Sequence, residues 1–379
     1  MVELQQFKRL LIYYGVVSSF FNGKNNFPCR YLNKKVDGKE KCDITACMSK
    51  RRFLGRAKVN YYHLMSQVVR QQFIFGEEEK LHFRWLMRRL EKFMGVRVLT
   101  YCIMSNHFHI LLEVPECESL SDGELFERID GYYSRSRAER IHRKYERLKA
   151  YDQEAGNDDG LTAWRRKYLV RMGSLSHFAK DLKELFTKWY NKKTEHTGTL
   201  WAERFRSILV EDSEGALLTM AAYIDLNPVR AKMVKDPKAY RFSGYGEAMS
   251  GGSSSRNGIC ALAQIIRRDD NEVDWERAQA IYRVHLFAEG DGRGIDSERV
   301  KEVLEAKGKL SKQELLSCRV RYFRDGLAIG SKTFVEQVFE THREWFGEKR
   351  KDGARKIRCS DEPFYCLRDL QKESIRAPI

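Results

Sequence analysis

The sequence predicts an α+β fold, in which an antiparallel sheet covered by helices is followed by a mostly helical C-terminal region. Three observations support this prediction. Runs of aromatic and β-branched residues have the length of strands. Between them lie stretches whose apolar residues recur with the period of a helix. The order strand, helix, strand, strand, helix, strand is that of the split β-α-β, or ferredoxin-like, arrangement.

The predicted elements of the sheet and its covering helices lie between residues 59 and 224. Gly95 is a C-cap candidate for the first helix, and Ser105-Asn106 is a tight turn, so that the second and third strands form a hairpin. Ser213 is a good N-cap for one helix beyond the ferredoxin-like core. In chain order, we predict a strand over 59–69, a helix over 77–93, strands over 96–104 and 107–114, a helix over 174–190, a strand over 205–210 and a helix over 213–224.

The remaining segments suggest a division into domains. Residues 50–249 form the main domain, and the charged, helix-prone stretch 117–173 is an insertion in it. Residues 1–49 lack clear periodicity and are interpreted as a poorly structured extension, in which Met48 is a plausible alternative start of translation. The run Ser250-Gly251-Gly252-Ser253-Ser254-Ser255 predicts a flexible linker over 250–256.

The last segment, 257–379, is predicted to be a helical accessory domain. Within it, helices over 311–323 and 331–342 are joined by a turn through Gly326 and Gly330. This pattern is compatible with a DNA-binding helix-turn-helix and equally with two ordinary helices of a helical domain.

Composition points to a polyanionic partner. The chain of 379 residues has 69 Lys and Arg against 53 Asp and Glu, a net charge of +16. This charge favours nucleic acid over membrane as the partner. A basic enzyme of another kind would have the same composition. The apolar run 10–21 is too short to cross a bilayer. The nine cysteines are scattered without a Cys-x-x-Cys motif, which is typical of free thiols in a cytoplasmic protein.

The sharpest local feature is His107-Phe108-His109. Residues i and i+2 of a strand project from the same face, so both imidazoles point to one side and Phe108 points to the core. Two neutral imidazoles on one face can be adjacent ligands of a divalent metal. Two surface histidines on a half-exposed strand would give the same pattern.

A second feature is Tyr223-Ile224-Asp225-Leu226-Asn227-Pro228. Tyr223 and Asn227 are four residues apart and share a helix face. An activated tyrosine hydroxyl is a nucleophile, and the amide oxygen of Asn227 is a possible third metal ligand. Alternatively, Asn227 before Pro228 is an ordinary helix start and Tyr223 is a packing residue. Both interpretations hold if the chain kinks at Asn227.

Taken together, these motifs resemble those of the REP-associated tyrosine transposases, relatives of the single-tyrosine HUH (histidine–hydrophobe–histidine) transposases of bacterial insertion sequences. The resemblance is carried by His107-Phe108-His109, the stretch Gly198 to Ser207, and Tyr223 to Ala231, and it extends over about residues 51–245. It departs from the family at Ser105, where relatives commonly have proline, and at Phe53-Leu54-Gly55-Arg56, where relatives have a DNA-contacting Gly-Thr-Gly-Arg-like stretch.

The resemblance implies an HUH endonuclease core that cleaves and rejoins single-stranded or hairpin DNA with Mg²⁺ or Mn²⁺. By position, His107, His109 and Asn227 match the metal ligands, and Tyr223 matches the tyrosine that forms a 5′-phosphotyrosine. It also implies a cytoplasmic bacterial protein without a membrane partner, as a monomer or a homodimer. Candidate DNA contacts combine basic residues with one aromatic, which suits single strands: Lys50, Arg51, Arg52, Arg56, Trp201, Arg204 and Arg206.

Two other functions remain open from the sequence. A domesticated protein could bind repeat hairpins without cleaving them, although the intact Tyr223 and histidine pair favour a transposase. A metallohydrolase of another type would need a third histidine or carboxylate motif, and the sequence shows none at helix or strand spacing.

Overall fold

The computed structural model describes residues 53–116, 120–267, 273–288, 323, 326–357 and 364–368, all within the unit Lys50–Ile379. The predicted extension 1–49 therefore lies outside the described residues. No helix in the described ranges is both long enough and apolar enough to cross a membrane.

Seven described strands form one sheet, in the order β2-β3-β1-β4-β5-β7-β6. The strands are β1 Val59–Gln67, β2 Arg97–Ile103, β3 His107–Pro115, β4 Arg206–Val210, β5 Ala328–Gly330, β6 Arg355–Lys356 and β7 Tyr365–Leu367. The α-helices are α1 Glu77–Met94, α2 Asp122–Tyr132, α3 Arg135–Ala155, α4 Asp159–Leu169, α5 Leu175–Thr194, α6 Glu214–Asp225, α7 Asn227–Arg230, α8 Gly244–Met249, α9 Ser253–Arg267, α10 Trp275–Ala288 and α11 Lys332–Thr341.

The first four strands confirm the predicted ferredoxin-like core. β1 lies between β3 and β4 and pairs with both in antiparallel register, while β2 and β3 form the predicted hairpin. Gly95 ends α1 in the left-handed conformation, with φ of 66°, which is why glycine is favoured there. Ser213 precedes α6 as predicted, but its side chain makes no capping hydrogen bond. The insertion is helical and consists of α2, α3 and α4.

Side chains of the core strands alternate between two faces. Phe108 is fully buried on the face covered by α1 and α5, where its ring meets Phe83 of α1 at 4.7 Å. The opposite face is covered by α6, which is attached to β2 by a hydrogen bond of 2.8 Å from Thr100 to Asp225. His109 belongs to this second face, because neighbouring residues of a strand point in opposite directions.

The predicted linker 250–256 is wrong. Ser253 begins the helix α9, and Ser255 is 1% exposed, with its hydroxyl accepting a hydrogen bond of 2.5 Å from Arg88. A side chain at Gly258 would meet the Leu99 carbonyl oxygen at 2.3 Å, so the helix packs directly on the backbone of β2. Composition suggested flexibility, but tertiary packing outweighs the low helix propensity of serine and glycine.

The C-terminal region is not a separate helical domain. β5 pairs with β4 in parallel, and β7 and β6 extend the sheet beyond it in antiparallel pairs. The proposed helix-turn-helix is contradicted at its turn, because Ala328–Gly330 is a strand. Its second helix is present as α11, whereas residues 311–322 of the first lie outside the described part of the chain.

Candidate active site

His107 and His109 lie side by side on β3, on the sheet face that α6 covers. Their ring centroids are 5.0 Å apart, with the rings nearly perpendicular. His109 stands opposite Met65 of β1, and His107 opposite Gln67. His109 is 3% exposed, whereas His107 at the start of the strand is half-buried. The strand thus brings the two predicted ligands together at one end of the sheet.

Each of these imidazoles uses its Nδ1 in a hydrogen bond. His107 Nδ1 lies 2.6 Å from Asn106 Oδ1, and because the amide oxygen can only accept, His107 donates and its lone pair is on Nε2. His109 Nδ1 lies 2.9 Å from Nε2 of His63. The hydrogen-bonded neighbour of a ligand nitrogen fixes which tautomer the ring adopts.

His63 is a residue that the sequence analysis missed. It lies on β1 opposite Leu111 and is fully buried, and its ring stacks on that of His109 at 5.0 Å. Burial lowers the pKa of His63 to about 3, against a smaller opposing effect of the Phe323 backbone, so the ring is neutral at neutral pH. The antiparallel register alone brings it to His109, and no local motif marks it.

Tyr223 lies on α6 above these histidines. Its ring is edge-on to His109, with 5.6 Å between centroids, and edge-on to His63 at 5.8 Å. The side chain is 2% exposed, because Phe323 stacks on it at 4.6 Å. The guanidinium of Arg230 lies 4.7 Å from the ring centroid and donates to the Tyr223 carbonyl at 2.9 Å.

Asp225 fixes the helix that carries Tyr223. Its buried carboxylate accepts hydrogen bonds from Thr100 of β2, from the hydroxyl of Tyr282 on α10 at 2.7 Å, and from the Tyr245 backbone at 3.1 Å. Burial raises the pKa of Asp225 to about 6, and these three donors oppose that shift. The carboxylate therefore connects α6 to the sheet and to two later helices.

Asn227 lies one turn beyond Tyr223, where the chain bends from α6 into the short α7. Its Nδ2 donates to the carbonyl oxygens of Tyr223 at 2.9 Å and Ile224 at 3.3 Å. The side chain thus satisfies carbonyls at the end of α6, and Pro228 follows at the start of α7. Asn227 begins the helix α7, as the helix-start interpretation predicts. Its side chain is also half-buried beside α6, so the structure is equally compatible with a role as a metal ligand.

The basic residues among the candidate DNA contacts divide into three groups. Arg56 and Arg204 are exposed. Arg206 begins β4 opposite Met65 and forms a 2.5 Å ion pair with Glu203, and since His109 also pairs with Met65, Arg206 shares its sheet face. Lys50, Arg51 and Arg52 lie outside the described residues.

The prediction for Trp201 is wrong. Its side chain is 7% exposed, and its indole N–H donates to Thr187 Oγ1 at 2.9 Å. The ring packs in the core against Phe75, at 6.2 Å, and Phe108, at 5.7 Å. A base could not stack on it without unfolding this corner, so Trp201 is a packing residue. An aromatic residue in a basic stretch suggested a DNA contact, but the bridge between Val68 and Trp201 turns the residue inward.

The residues present fit a divalent metal. Two imidazoles whose Nδ1 atoms are engaged would bind it through Nε2. The Asp225 carboxylate already accepts three hydrogen bonds, whereas the Asn227 amide donates from Nδ2, and its oxygen is a candidate third donor. Across the described ranges, no group of three or more His, Cys, Asp or Glu side chains is arranged to hold a metal.

Part of the chain matches a known protein family. Residues 57–172 match the family model of IS200-like transposases. The matched segment includes β1, the β2–β3 hairpin and the histidine pair, and it ends before Tyr223. The match confirms, for this part of the chain, the resemblance to tyrosine transposases found in the sequence.

A solved structure is also similar, described as a REP-associated tyrosine transposase bound to a REP hairpin. It is 12% identical to this chain, with a TM-score of 0.31, and the match covers 54% of this chain and 87% of that one. No curated protein matches the chain.

Proposed function

We propose that this protein is a divalent-metal-dependent endonuclease and strand transferase of single-stranded or hairpin DNA, with Tyr223 as its nucleophile. The observation that carries the proposal is the convergence of Tyr223 with the histidine pair: its ring lies 5.6 Å from that of His109, on the same sheet face. A phenol next to two potential metal ligands is the arrangement needed to attack a metal-bound phosphate.

In the proposed reaction the Tyr223 oxygen attacks the scissile phosphorus, and the bond from phosphorus to the 3′ oxygen breaks. The phenol loses its proton and the leaving 3′ oxygen gains one, giving a 5′-phosphotyrosine and a free 3′-hydroxyl. Attack by a 3′-hydroxyl reverses this exchange and rejoins strands without another energy source. His107, His109 and Asn227 would hold Mg²⁺ or Mn²⁺, which when bound polarises the phosphate.

Two neighbours pack against the ring of Tyr223. The guanidinium of Arg230 lies against the ring, 4.7 Å from its centroid, a cation–π contact that holds the ring in place. Phe323 covers the ring, so DNA reaches the hydroxyl only after the Phe323 ring has moved. The proposal therefore requires a rearrangement at Phe323 before chemistry.

The deciding experiment incubates the full chain with Mn²⁺ and hairpin-bearing single-stranded DNA from its own genome. Wild type is expected to form a covalent protein–DNA adduct that survives denaturing electrophoresis, and Tyr223→Phe to form none. Tyr151→Phe is the matched control, because Tyr151 is 67% exposed on α3. Cleavage that survives Tyr223→Phe would overturn the mechanism, and binding without an adduct in any metal would indicate a non-cleaving DNA-binding protein.

A further inference from the structure

The loop after β1 exposes an aromatic ring at the histidine end of the sheet. Phe73 is 80% exposed, more than any other large hydrophobic side chain in the described residues. Arg70, Gln71 and Gln72 before it are exposed as well. By contrast, Phe75, two residues later, is buried and stacks on Phe186 at 4.9 Å. The loop thus ends in the core and holds Phe73 outside it.

Hydrogen bonds connect this loop to the turn at Ser105 and Asn106, which directly precedes the strand that carries the histidines. Asn106, which also bonds His107, donates from Nδ2 to the Gln71 carbonyl at 3.2 Å. The Phe75 amide donates to the Ser105 carbonyl at 3.0 Å. Arg70 and Gln71 are both in the left-handed region, with φ of 52° and 57°, a conformation that non-glycine residues rarely adopt. The loop is therefore held in one conformation next to His107.

The charge around Phe73 suits a nucleic-acid backbone. The Val69 amide donates to the Leu200 carbonyl at 2.9 Å, which connects this loop to the segment that carries the exposed Arg204. The acidic first turn of α1 follows Phe73, and its charges are partly compensated: Lys193 pairs with Glu78 and Glu79, and Arg241 pairs with Glu77.

We propose that Phe73 is a stacking platform for an unpaired base of the DNA strand that runs past the histidine pair, and that Arg70 contacts a phosphate of the same strand. The inference rests on the proposed function for its choice of partner. An exposed ring with an exposed arginine three residues before it combines the stacking surface and the positive charge that bind single strands without reading their sequence. Phe73 takes the role that the buried Trp201 cannot fill.

The test measures the affinity of the full chain, by fluorescence anisotropy, for a labelled oligothymidylate of about 15 nucleotides, one binding-site length. Loss of one stacked base predicts that Phe73→Ala weakens binding about tenfold, that Phe73→Trp retains it, and that neither variant changes the affinity for duplex DNA of the same length. Tyr151→Ala, another exposed aromatic, is the matched control and is expected to bind as wild type does.

Salt dependence separates the two residues. Arg70→Ala is expected to reduce the slope of log affinity against log salt by about 0.7, the value for one phosphate contact on a single strand. Phe73→Ala is expected to leave the slope unchanged, because stacking releases no counterions. Unchanged single-strand affinity of Phe73→Ala would overturn the inference, as would an equal loss on single-stranded and duplex DNA.

The outcome is distinguishable from failure of the proposed function. If Tyr223→Phe removes the covalent adduct while Phe73→Ala binds as wild type does, the proposed nuclease activity is supported and the proposed stacking site is refuted. If no adduct forms but Phe73→Ala weakens single-strand binding, the stacking site is supported, and the protein binds single strands without cleaving them.

Discussion

At the scale of single residues, the site depends on one contact that its motifs do not contain. His107 and His109 are visible in the sequence because strand periodicity puts them on one face. The role of His63 could not be predicted from the sequence, because only the pairing of β1 with β3 brings its Nε2 next to His109 Nδ1. A pattern along one strand predicts which residues share a face, but it contains no information about what the neighbouring strand places beside them.

We expect His63→Leu to weaken the binding of Mn²⁺ by 10- to 100-fold, the usual effect of removing a group that orients a ligand histidine. His63→Gln is expected to retain most of the affinity, because its amide oxygen can accept the proton of His109 Nδ1. Isothermal titration calorimetry measures both. His82→Gln is the control, since His82 is also buried but stacks on Trp189. Equal affinity of His63→Leu and wild type would show that His63 does not orient His109.

At the scale of elements, the sequence predicted well where helices and strands of the core begin and end. It did not predict how segments far apart in sequence pack against each other. α1 begins at the predicted Glu77 and ends one residue beyond the predicted Phe93, because a long amphipathic stretch with a glycine stop leaves little choice. The serine run at 250–255 was misread, because the buried hydroxyl of Ser255 bonds Arg88, which lies 167 residues earlier in the sequence. Long-range contacts of this type decide the structure where local propensity is weak.

The attachment of α6 to the sheet is testable through Asp225. Asp225→Ala leaves the donors of Thr100, Tyr245 and Tyr282 unsatisfied in the core, and we expect it to lower the free energy of unfolding by about 3 kcal/mol. Urea denaturation measures this loss. The matched variant is Asp152→Ala in the insertion, where another buried carboxylate accepts two backbone N–H groups.

Both variants are expected to lose stability, but only Asp225→Ala is expected to lose adduct formation as well, because only Asp225 holds the helix of Tyr223. An unfolding midpoint of Asp225→Ala equal to that of wild type would contradict the role given to this carboxylate.

At the scale of the whole molecule, the core and the C-terminal region share one sheet. Composition separated them at residue 250, but β5 pairs with β4, and α9 packs on β2. Pairing between strands so far apart in sequence leaves no local signal, which is why the predicted domain boundary was wrong while the ferredoxin-like order was right. Whether the protein is a monomer or a homodimer stays a prediction.

Truncation after Met249 is therefore not expected to release an intact nuclease. It removes β5 and leaves the backbone groups along one edge of β4 unpaired, and exposed strand edges promote aggregation. It also removes the Tyr282 hydroxyl from Asp225. Size-exclusion chromatography is expected to show aggregates, and thermal unfolding a lower midpoint. A chain lacking only residues 369–379 keeps every described element and is the control. A monomeric truncated protein with the midpoint of the full chain would refute this expectation.

The parallel pairing of β4 with β5 also has a consequence during synthesis on the ribosome. Residues 211–327 separate the two strands, so at typical translation rates β4 leaves the ribosome on the order of ten seconds before its partner. During that interval the histidine pair and Tyr223 have already been made, while the edge of the nascent sheet is still open. The edge of β4 that β5 covers in the finished protein is therefore exposed in the nascent chain until β5 has been made.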